Sequence, residues 1–358
     1  MDHHRVPIIQ ALIAALLFGA SAPLAKLLLG EIEPIPLAAF LYLGSGIGLL
    51  GIIAFQRINR QTSGGEANIK TADYLWLLGA LLAGGVAAPI TLLFSLKNTP
   101  AATASLLLNF EGVATTLVAG LAFKESISSR AWWAIILITL SSIFLSINLK
   151  ANWGFSLGAL GIVFACILWG LDNNFTRNIS AKDPMMIVTI KGLGAGSFSL
   201  GMALVLGNTL PALGVVLRAM VLGCLSYGVS IVLFIRALRG LGAARTSALF
   251  GTTPLAGIFI SFLLFREFPG WLFLIALPLM IIGTLFLISE EHQHQHIHEM
   301  TIHEHSHVHD DGHHEHDHEG ETTQKHSHIH KHDLLFHEHH HMPDIHHRHV
   351  HPSKSEKG

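Results

Sequence analysis

The sequence predicts an all-α integral membrane protein: ten transmembrane helices, arranged as two inverted five-helix repeats, followed by a disordered, histidine-rich C-terminal tail. Half of the residues (51%) are hydrophobic and only 13% are charged, a composition unlike that of a soluble protein. Apolar stretches of about 20 residues recur as far as Ser289, and that length matches the thickness of a bilayer. Beyond Ser289 the chain is mostly His, Asp, Glu and Lys.

An internal duplication predicts how the helices are arranged. The segment Phe94–Glu125 returns in altered form as Arg236–Glu267, 142 positions later (236 − 94). A second offset, of 151 positions (169 − 18), aligns Phe18-Gly19 with Trp169-Gly170. Two such copies indicate an internally duplicated membrane protein, which is how many secondary transporters are built. The first offset aligns Ser105 with Ser247, Phe123 with Phe265 and Glu125 with Glu267.

Ten apolar spans can be marked, and they divide into two sets of five. Their approximate bounds are 6–29, 35–56, 73–96, 100–123, 131–148, 157–178, 184–207, 214–235, 241–265 and 270–288. The sequence therefore predicts a first repeat over 1–150, a second over 151–289 and the tail over 290–358. Because each repeat has an odd number of helices, the second crosses the membrane in the opposite direction, which makes the repeat inverted.

Lysine and arginine residues predict how the chain is threaded through the bilayer. With a cytoplasmic N-terminus, eleven of them lie inside: Arg5, Arg57, Arg60, Lys70, Lys124, Arg130, Arg177, Lys182, Arg236, Arg239 and Arg245. Five lie outside: Lys26, Lys97, Lys150, Arg218 and Arg266. Because cytoplasmic loops carry an excess of Lys and Arg, we expect a multi-pass protein of the cell (inner) membrane with both termini in the cytoplasm. We also expect the first span to be a retained helix rather than a signal peptide.

The fourth span carries a carboxyl group at a depth where a charged side chain is costly in a bilayer. Glu111 lies near the middle of this span, and Thr115 follows one turn later. One interpretation is a packing seam in which Glu111 is protonated or bonded to a neighbour. The other is a central cavity in which Glu111 faces the substrate or a coupling proton. Helical spacing predicts two further faces: a small, polar one of Ser105, Asn109, Gly112 and Thr116, and a bulky, lipid-facing one of Leu106, Phe110, Val113, Leu117 and Leu121.

Opposite charges lie at matched depth in the sixth and seventh spans. Asp172, which is followed by Asn173, and Lys191 each lie roughly 9–10 Å from the cytoplasmic end of their span. This placement predicts either an ion pair or two oppositely charged poles of one site. The sequence is equally compatible with a structural pair and with a pair that binds substrate. The glycines that follow Lys191 are expected to loosen the seventh helix; they are Gly192, Gly194 and Gly196.

Several segments together carry a resemblance to a known family. They are the openings Phe18-Gly19 and Trp169-Gly170, the segment Ser95–Ala101, the core Asn109–Gly112, and the endings Gly120–Glu125 and Phe262–Glu267. These segments resemble the EamA family of the drug/metabolite transporter superfamily. The resemblance covers about 1–289 and implies a ten-helix inverted-repeat carrier, usually an exporter, with both termini cytoplasmic. Members often have a proline after the glutamate of span 4, where this chain has Gly112. The tail resembles the cobalt–nickel resistance branch.

The tail has the composition of a metal-binding segment. It holds 24 of the 26 histidines, in alternation with other residues. Neutral imidazole suits nickel, cobalt, copper and zinc, and interleaved Asp and Glu can complete a coordination shell. Low hydrophobicity predicts disorder without metal, and the alternative is a solvated tail that senses pH or binds nothing. The candidate ligands are His292, His294, His296, His298, His303, His305, His307, His309, His313, His314, His316, His318, His326, His328, His330 and His332.

Together these features predict a secondary transporter in the lipid bilayer that exports divalent transition metal ions, nickel or cobalt first and zinc next, after capture by the tail. One alternative is an exporter of a small organic metabolite or amino acid whose tail buffers metal, since the spans contain no histidine and only two cysteines. Another is a membrane-anchored metal-storage or sensor protein. No nucleotide-binding loop or catalytic arrangement indicates an enzyme. We expect no cofactor for transport and no nucleic-acid partner, and the oligomeric state is left open.

Overall fold

The computed structural model describes residues 5–58, 69–123, 127, 129–148, 154–179, 182–241, 246, 249–266 and 270–288, and four strands in the tail. The membrane part of these residues is helical. In chain order the helices are α1 (Arg5–Gly19, then Ser21–Leu28), α2 (Pro34–Ile58), α3 (Thr71–Lys97), α4 (Ala101–Leu107, then Phe110–Phe123), α5 (Ser129–Ser146), α6 (Leu157–Asn178), α7 (Pro184–Val205), α8 (Leu213–Gly223, Cys224–Val229 and Ser230–Leu241), α9 (Thr253–Phe265) and α10 (Trp271–Ile288).

Eight of these helices, α1 to α8, are long and apolar enough to cross a membrane, so the chain is a multi-pass membrane protein. In α9 and α10 the apolar stretches are shorter, Thr253–Phe265 and Trp271–Phe286. Within the described ranges, eight of the ten predicted spans are therefore confirmed as helices of membrane length. The crossings by α9 and α10 stay a prediction. Between the halves, a strand at Ile147–Asn148 pairs with one at Gly154–Phe155.

The packing of the helices repeats between the two halves. Helix α1 of the first half packs on α8 and α9 of the second, and α6 of the second half packs on α3 and α4 of the first. Likewise, α2 packs on α8 and α7 packs on α3. Three further pairs, α2–α7, α4–α9 and α5–α10, join equivalent helices. Exchanging α1–α5 with α6–α10 turns each of the first contacts into another that is present and leaves the last three unchanged. The halves are therefore related by a pseudo-two-fold axis, as in an inverted repeat.

Glycines let α2 and α7 cross with their backbones in contact. A methyl group on Gly192 would lie 2.7 Å from the nitrogen of Gly46 and 2.9 Å from the carbonyl oxygen of Tyr42. A methyl group on Gly196 would lie 2.6 Å from the nitrogen of Leu43. Helix α7 is continuous across these positions. The expectation that its glycines loosen the helix stays a prediction. Gly192 and Gly196 allow a neighbouring backbone to approach, and Gly194 leaves room for the side chain of Leu81.

Both halves contain irregular backbone at equivalent places. Helix α3 has a π-helical segment at Leu81–Ala87 and α8 has one at Cys224–Val229, and these begin 143 positions apart (224 − 81). Helix α4 is interrupted by a turn at 108–109, and α9 begins after a turn at 251–252, again 143 positions later. Span 4 is thus not one continuous helix as predicted, and Asn109 lies in the break rather than on a helical face.

The bulky stripe of span 4 is mostly inside the protein. Leu106, Phe110 and Val113 are 1%, 9% and 0% exposed, whereas Leu121 at the far end is 82% exposed. The prediction that this whole face meets lipid is wrong. Helix α4 packs against α6 and α9, and lipid tails are as apolar as a leucine-rich core, so hydrophobicity does not distinguish the two surroundings.

Two charge pairs occupy equivalent places in the two halves. Arg218, near the start of α8, donates two hydrogen bonds of 2.9 and 2.6 Å to Glu31 in the loop after α1. This interaction lowers the pKa of Glu31. Lys182, after α6, lies 3.7 Å from Asp73 at the start of α3. Positions 31 and 182 are separated by the same 151 residues that align α1 with α6. Each pair therefore ties the third helix of one half to the first loop of the other.

The tail strands differ from the expectation of disorder. Strand His292–His298 pairs with Leu335–His341, and strand Thr301–His307 pairs with His326–His332, both antiparallel. The register places histidine positions opposite each other, for example 294 with 339 and 305 with 328. Alternation of histidine with other residues has the two-residue period of a strand, and we attribute the extended backbone to that period.

The crossing of α2 and α7 yields a testable prediction. Gly192→Leu should lower the free energy of unfolding by roughly 1–3 kcal/mol or more, because the side chain has no room beside Gly46 and Tyr42. Gly201→Leu on the same helix is the matched control, since nothing lies within 4 Å of a methyl group there. Thermal unfolding of the purified protein in detergent compares the two. Equal melting temperatures would contradict the close crossing.

Candidate functional site

An ion pair connects α6 and α7 inside the membrane part. The Nζ atom of Lys191 donates to both carboxylate oxygens of Asp172, at 2.5 and 2.8 Å. Thr176, one turn further along α6, donates to Asp172 at 2.9 Å and lies 3.4 Å from the Lys191 ammonium. The side chains of Lys191 and Asp172 are only 15% and 9% exposed. The pair predicted from matched depth is therefore present, and a buried pair of this kind has its hydrogen-bonding capacity filled by a neighbour.

The π-helical segment of α3 makes room for this pair. A methyl group on Gly84 would overlap the Oδ2 atom of Asp172. The carbonyl oxygen of Gly84 accepts two hydrogen bonds, from Tyr42 Oη at 2.7 Å and from Trp169 Nε1 at 3.0 Å. Irregular backbone inside a membrane protein has to be satisfied by neighbouring groups, and here the two aromatic side chains serve that purpose. Gly84 thus links α2, α3 and α6 at the level of Asp172.

Glu111 belongs to the same cluster from the side of α4. It lies in the first turn of the second helical piece, directly after the break. Its Oε1 atom accepts a hydrogen bond of 2.8 Å from the amide of Asn173, which also donates to Thr115 Oγ1 at 3.1 Å. Glu111 also interacts electrostatically with Asp172 and Lys191. Two carboxyl groups, one ammonium and one amide therefore form a single site contributed by α4, α6 and α7.

The two parts of this cluster differ in exposure. Asp172 is 6% exposed, whereas Glu111 is half-buried and Asn173 is exposed. On the buried side Asn174 strengthens the contact between α6 and α4, because its amide donates to the Thr115 carbonyl at 3.0 Å. The Glu111–Asn173 contact is thus the accessible edge of the cluster, and the Asp172–Lys191 pair is its interior.

A row of aromatic rings continues from the polar cluster. Tyr42 stacks on Tyr227, with ring centres 5.7 Å apart and planes at 19°. Phe18 meets Tyr227 edge-on at 5.9 Å and Phe250 at 5.6 Å, and Phe250 meets Phe234 at 4.8 Å. Since Tyr42 also donates to Gly84 beside Asp172, the row begins at the polar cluster and leads away from it towards α8.

The chemistry of the site is not duplicated with the fold. At the offset of 151, Asp172 and Asn173 correspond to Ser21 and Ala22. At the offset of 142, Glu111 corresponds to Thr253. Neither carboxyl group therefore has an acidic counterpart in the other half. The pseudo-two-fold axis therefore relates carboxyl groups to uncharged residues.

The structure brings five of the seven predicted site residues together. Glu111, Thr115 and Asn173 share hydrogen bonds, and Asp172 and Lys191 adjoin them. Ser105 instead packs against Gly257 of α9, and its buried hydroxyl has no hydrogen-bond partner. Asn109 lies in the turn that interrupts α4. Four further contributors were not predicted from the sequence: Gly84, Tyr42, Trp169 and Tyr227. The offset of 143 positions that aligns Gly84 with Tyr227 was a usable signal for two of them.

The predicted metal ligands of the tail are only partly described. The structure gives the backbone of the strands that carry His292, His294, His296, His298, His303, His305, His307, His326, His328, His330 and His332. His309, His313, His314, His316 and His318 lie outside the described residues. Among the residues that the structure describes, no group of three or more His, Cys, Asp or Glu side chains is placed to hold a metal ion.

Comparisons with known proteins agree with this architecture. The EamA-like transporter family matches twice, over 5–147 and 156–289. A protein from Methanothermobacter thermautotrophicus, described as an uncharacterized transporter, is 31% identical over 273 residues, which are 72% of this chain and 79% of that protein. A solved crystal structure has the same fold with a TM-score of 0.56, covering 78% of this chain and 95% of that one. At 15% identity, that likeness concerns the fold alone.

Proposed function

Because this chain belongs to the EamA-like transporter family, we propose that it is a membrane transporter that exports divalent transition metal ions, nickel or cobalt first and zinc next. The observation that carries the proposal is the tail, with 24 histidines in fewer than 70 residues. Imidazole is the nitrogen ligand that suits these metals. The tail captures the ion, and the helices move it.

The cluster in the membrane suits a passing ion rather than a stored one. Glu111, Asp172 and Asn173 offer carboxylate and amide oxygens, which bind nickel, cobalt or zinc more weakly than imidazole or thiolate does. A transport site has to bind well enough to load and weakly enough to release. In this proposal the tail supplies affinity and the cluster of α4, α6 and α7 supplies the path.

A second candidate is export of a small organic metabolite or amino acid. The observation that favours it is the aromatic row beside an ion pair. An amino acid presents one negative and one positive group, for which Lys191 and Asp172 are complementary, and its side chain would meet Tyr42 and Tyr227. In this case the tail buffers metal without taking part in transport. Flux measurements with metal ions and amino acids separate the two candidates.

We propose that both termini are cytoplasmic, because this orientation would put eleven Lys and Arg residues inside and five outside. Reporter fusions test this orientation. A fusion at Lys150, between the repeats, should be active only outside the cell, and a fusion at Gly358 only inside. An inside signal at Lys150, or an outside signal at Gly358, would contradict either the orientation or the number of crossings.

Glu111→Gln tests the membrane cluster. The Gln side chain has the same shape and its oxygen can still accept from Asn173, so the protein should fold and reach the membrane. Removal of the acidic group should lower transport at least about tenfold, because charged groups at this depth serve the transport path. The measurement is metal efflux from vesicles containing purified full-length protein under a proton gradient.

The control for this experiment is Glu33→Gln, which changes an acidic residue of the loop between α1 and α2 and should transport normally. Normal transport by well-folded Glu111→Gln would remove Glu111 from the mechanism. If the unmodified protein moves no nickel, cobalt or zinc in either direction, export of metal is ruled out, and flux of an amino acid in the same vesicles would establish the second candidate.

Deletion of 290–358 tests the role of the tail. A tail that raises the local metal concentration at the cytoplasmic mouth changes the effective concentration and not the translocation step. The deletion should therefore weaken efflux mainly at low cytoplasmic metal and leave the maximal rate largely intact. The isolated tail should bind several equivalents of nickel, cobalt or zinc. If the tail alone protects cells as well as the whole chain does, storage and not export explains the protection.

A further inference from the structure

The ammonium of Lys191 occupies the place that a bound cation would take. It contacts both oxygens of Asp172, at 2.5 and 2.8 Å, and it lies 3.4 Å from the hydroxyl of Thr176. These are carboxylate and hydroxyl oxygens, the ligand types that a hard cation prefers. Because both charged side chains are more than four-fifths buried, little water is available to replace either partner.

The acidic groups of the cluster outnumber its single ammonium, so that another cation can take the place of the ammonium. Two carboxyl groups, Glu111 and Asp172, interact with the single ammonium of Lys191. With that ammonium withdrawn, the two carboxyl groups and the oxygens of Asn173 and Thr176 would remain as an acidic, oxygen-rich site. Such a site matches the charge of one divalent ion.

Lys191 also has a direction in which to withdraw. Helix α7 begins at Pro184, so Lys191 lies seven residues (191 − 184), or about 10 Å, inside the helix end. Helical side chains lean towards the N-terminus of their helix, which is the nearer end here. The flexible stem of lysine lets the ammonium move towards that end while its methylene groups stay in apolar surroundings.

We propose that Lys191 is a tethered substitute for a cationic cargo. In the empty protein its ammonium neutralises Asp172; a loading cation displaces it, and on release the ammonium returns. The empty carrier therefore reorients without leaving Asp172 unpaired in the membrane, which would be costly. Lys191 also sets specificity, because only a cation that competes with its ammonium is loaded. This inference rests on the proposed function, since it requires a cationic cargo.

Lys191→Met tests the inference, because it keeps the length of the side chain and removes its charge. Full-length protein in vesicles is assayed with radiolabelled cobalt in two ways: net efflux, which needs return of the empty carrier, and exchange, in which the carrier returns loaded. The KM for exchange should fall about tenfold, because no ammonium has to be displaced. Net efflux should slow at least about tenfold, because Asp172 is left unpaired in the empty carrier.

Lys191→Arg is the matched control with the charge retained. A guanidinium holds a carboxylate by two parallel hydrogen bonds and is harder to displace, so the KM should rise while the ratio of net efflux to exchange stays as in the wild type. If Lys191→Met does not fold, Lys191→Arg alone tests the inference. An unchanged or lower KM of Lys191→Arg overturns it. A purely structural pair predicts that Lys191→Met loses net efflux and exchange in parallel without a fall in KM.

Failure of the tethered cation and failure of metal export give different results. A wild-type protein that moves cobalt, together with a Lys191→Met variant whose two activities fall in parallel, overturns the tethered cation and leaves metal export intact. A wild-type protein that moves no cobalt, nickel or zinc overturns metal export, and the tethered cation falls with it because the cationic cargo is its premise.

Discussion

The backbone contact between α2 and α7 is the constraint on which the rest of the membrane part depends. These helices are equivalent under the pseudo-two-fold axis, and Gly46 and Gly192 allow them to touch. Lys191 is the residue next to this contact on α7, and Tyr42 lies one turn away on α2. The crossing therefore brings an ammonium to Asp172 and a phenol hydroxyl to the backbone of α3. A larger residue at either glycine would separate both pairs of groups.

Irregular backbone is placed where the site needs it. In a bilayer, a carbonyl released from a helix has to find a partner within the protein. Tyr42 and Trp169 provide that partner for Gly84, and the absence of a side chain at Gly84 leaves space for Asp172. The turn at 108–109 likewise places Glu111 in the first turn of a new helical piece. Both features have counterparts about 143 positions later, so they belong to the duplicated fold rather than to one helix.

The duplicated fold holds a site that is not duplicated. An inverted repeat supplies two halves with equivalent packing, which suits alternating access to a central site. The polar cluster draws its charged groups from α4, α6 and α7, and the counterparts of Asp172 and Glu111 are Ser21 and Thr253. The packing of the helices thus follows the symmetry, whereas the charged groups of the cluster do not.

The sequence by itself determined the duplicated membrane fold, because apolar length and recurring segments are local properties of the chain. It also indicated that Asp172 and Lys191 form an ion pair or two poles of one site, since they carry opposite charges at one depth on consecutive helices, and the structure decided for the ion pair. Only the tertiary structure decided which side of α4 is inside: Leu106 and Val113 are as apolar as lipid, so their pattern suits either surrounding. It alone placed Gly84 beside Asp172, because the two are far apart in the chain and only the packing of α3 on α6 brings them together.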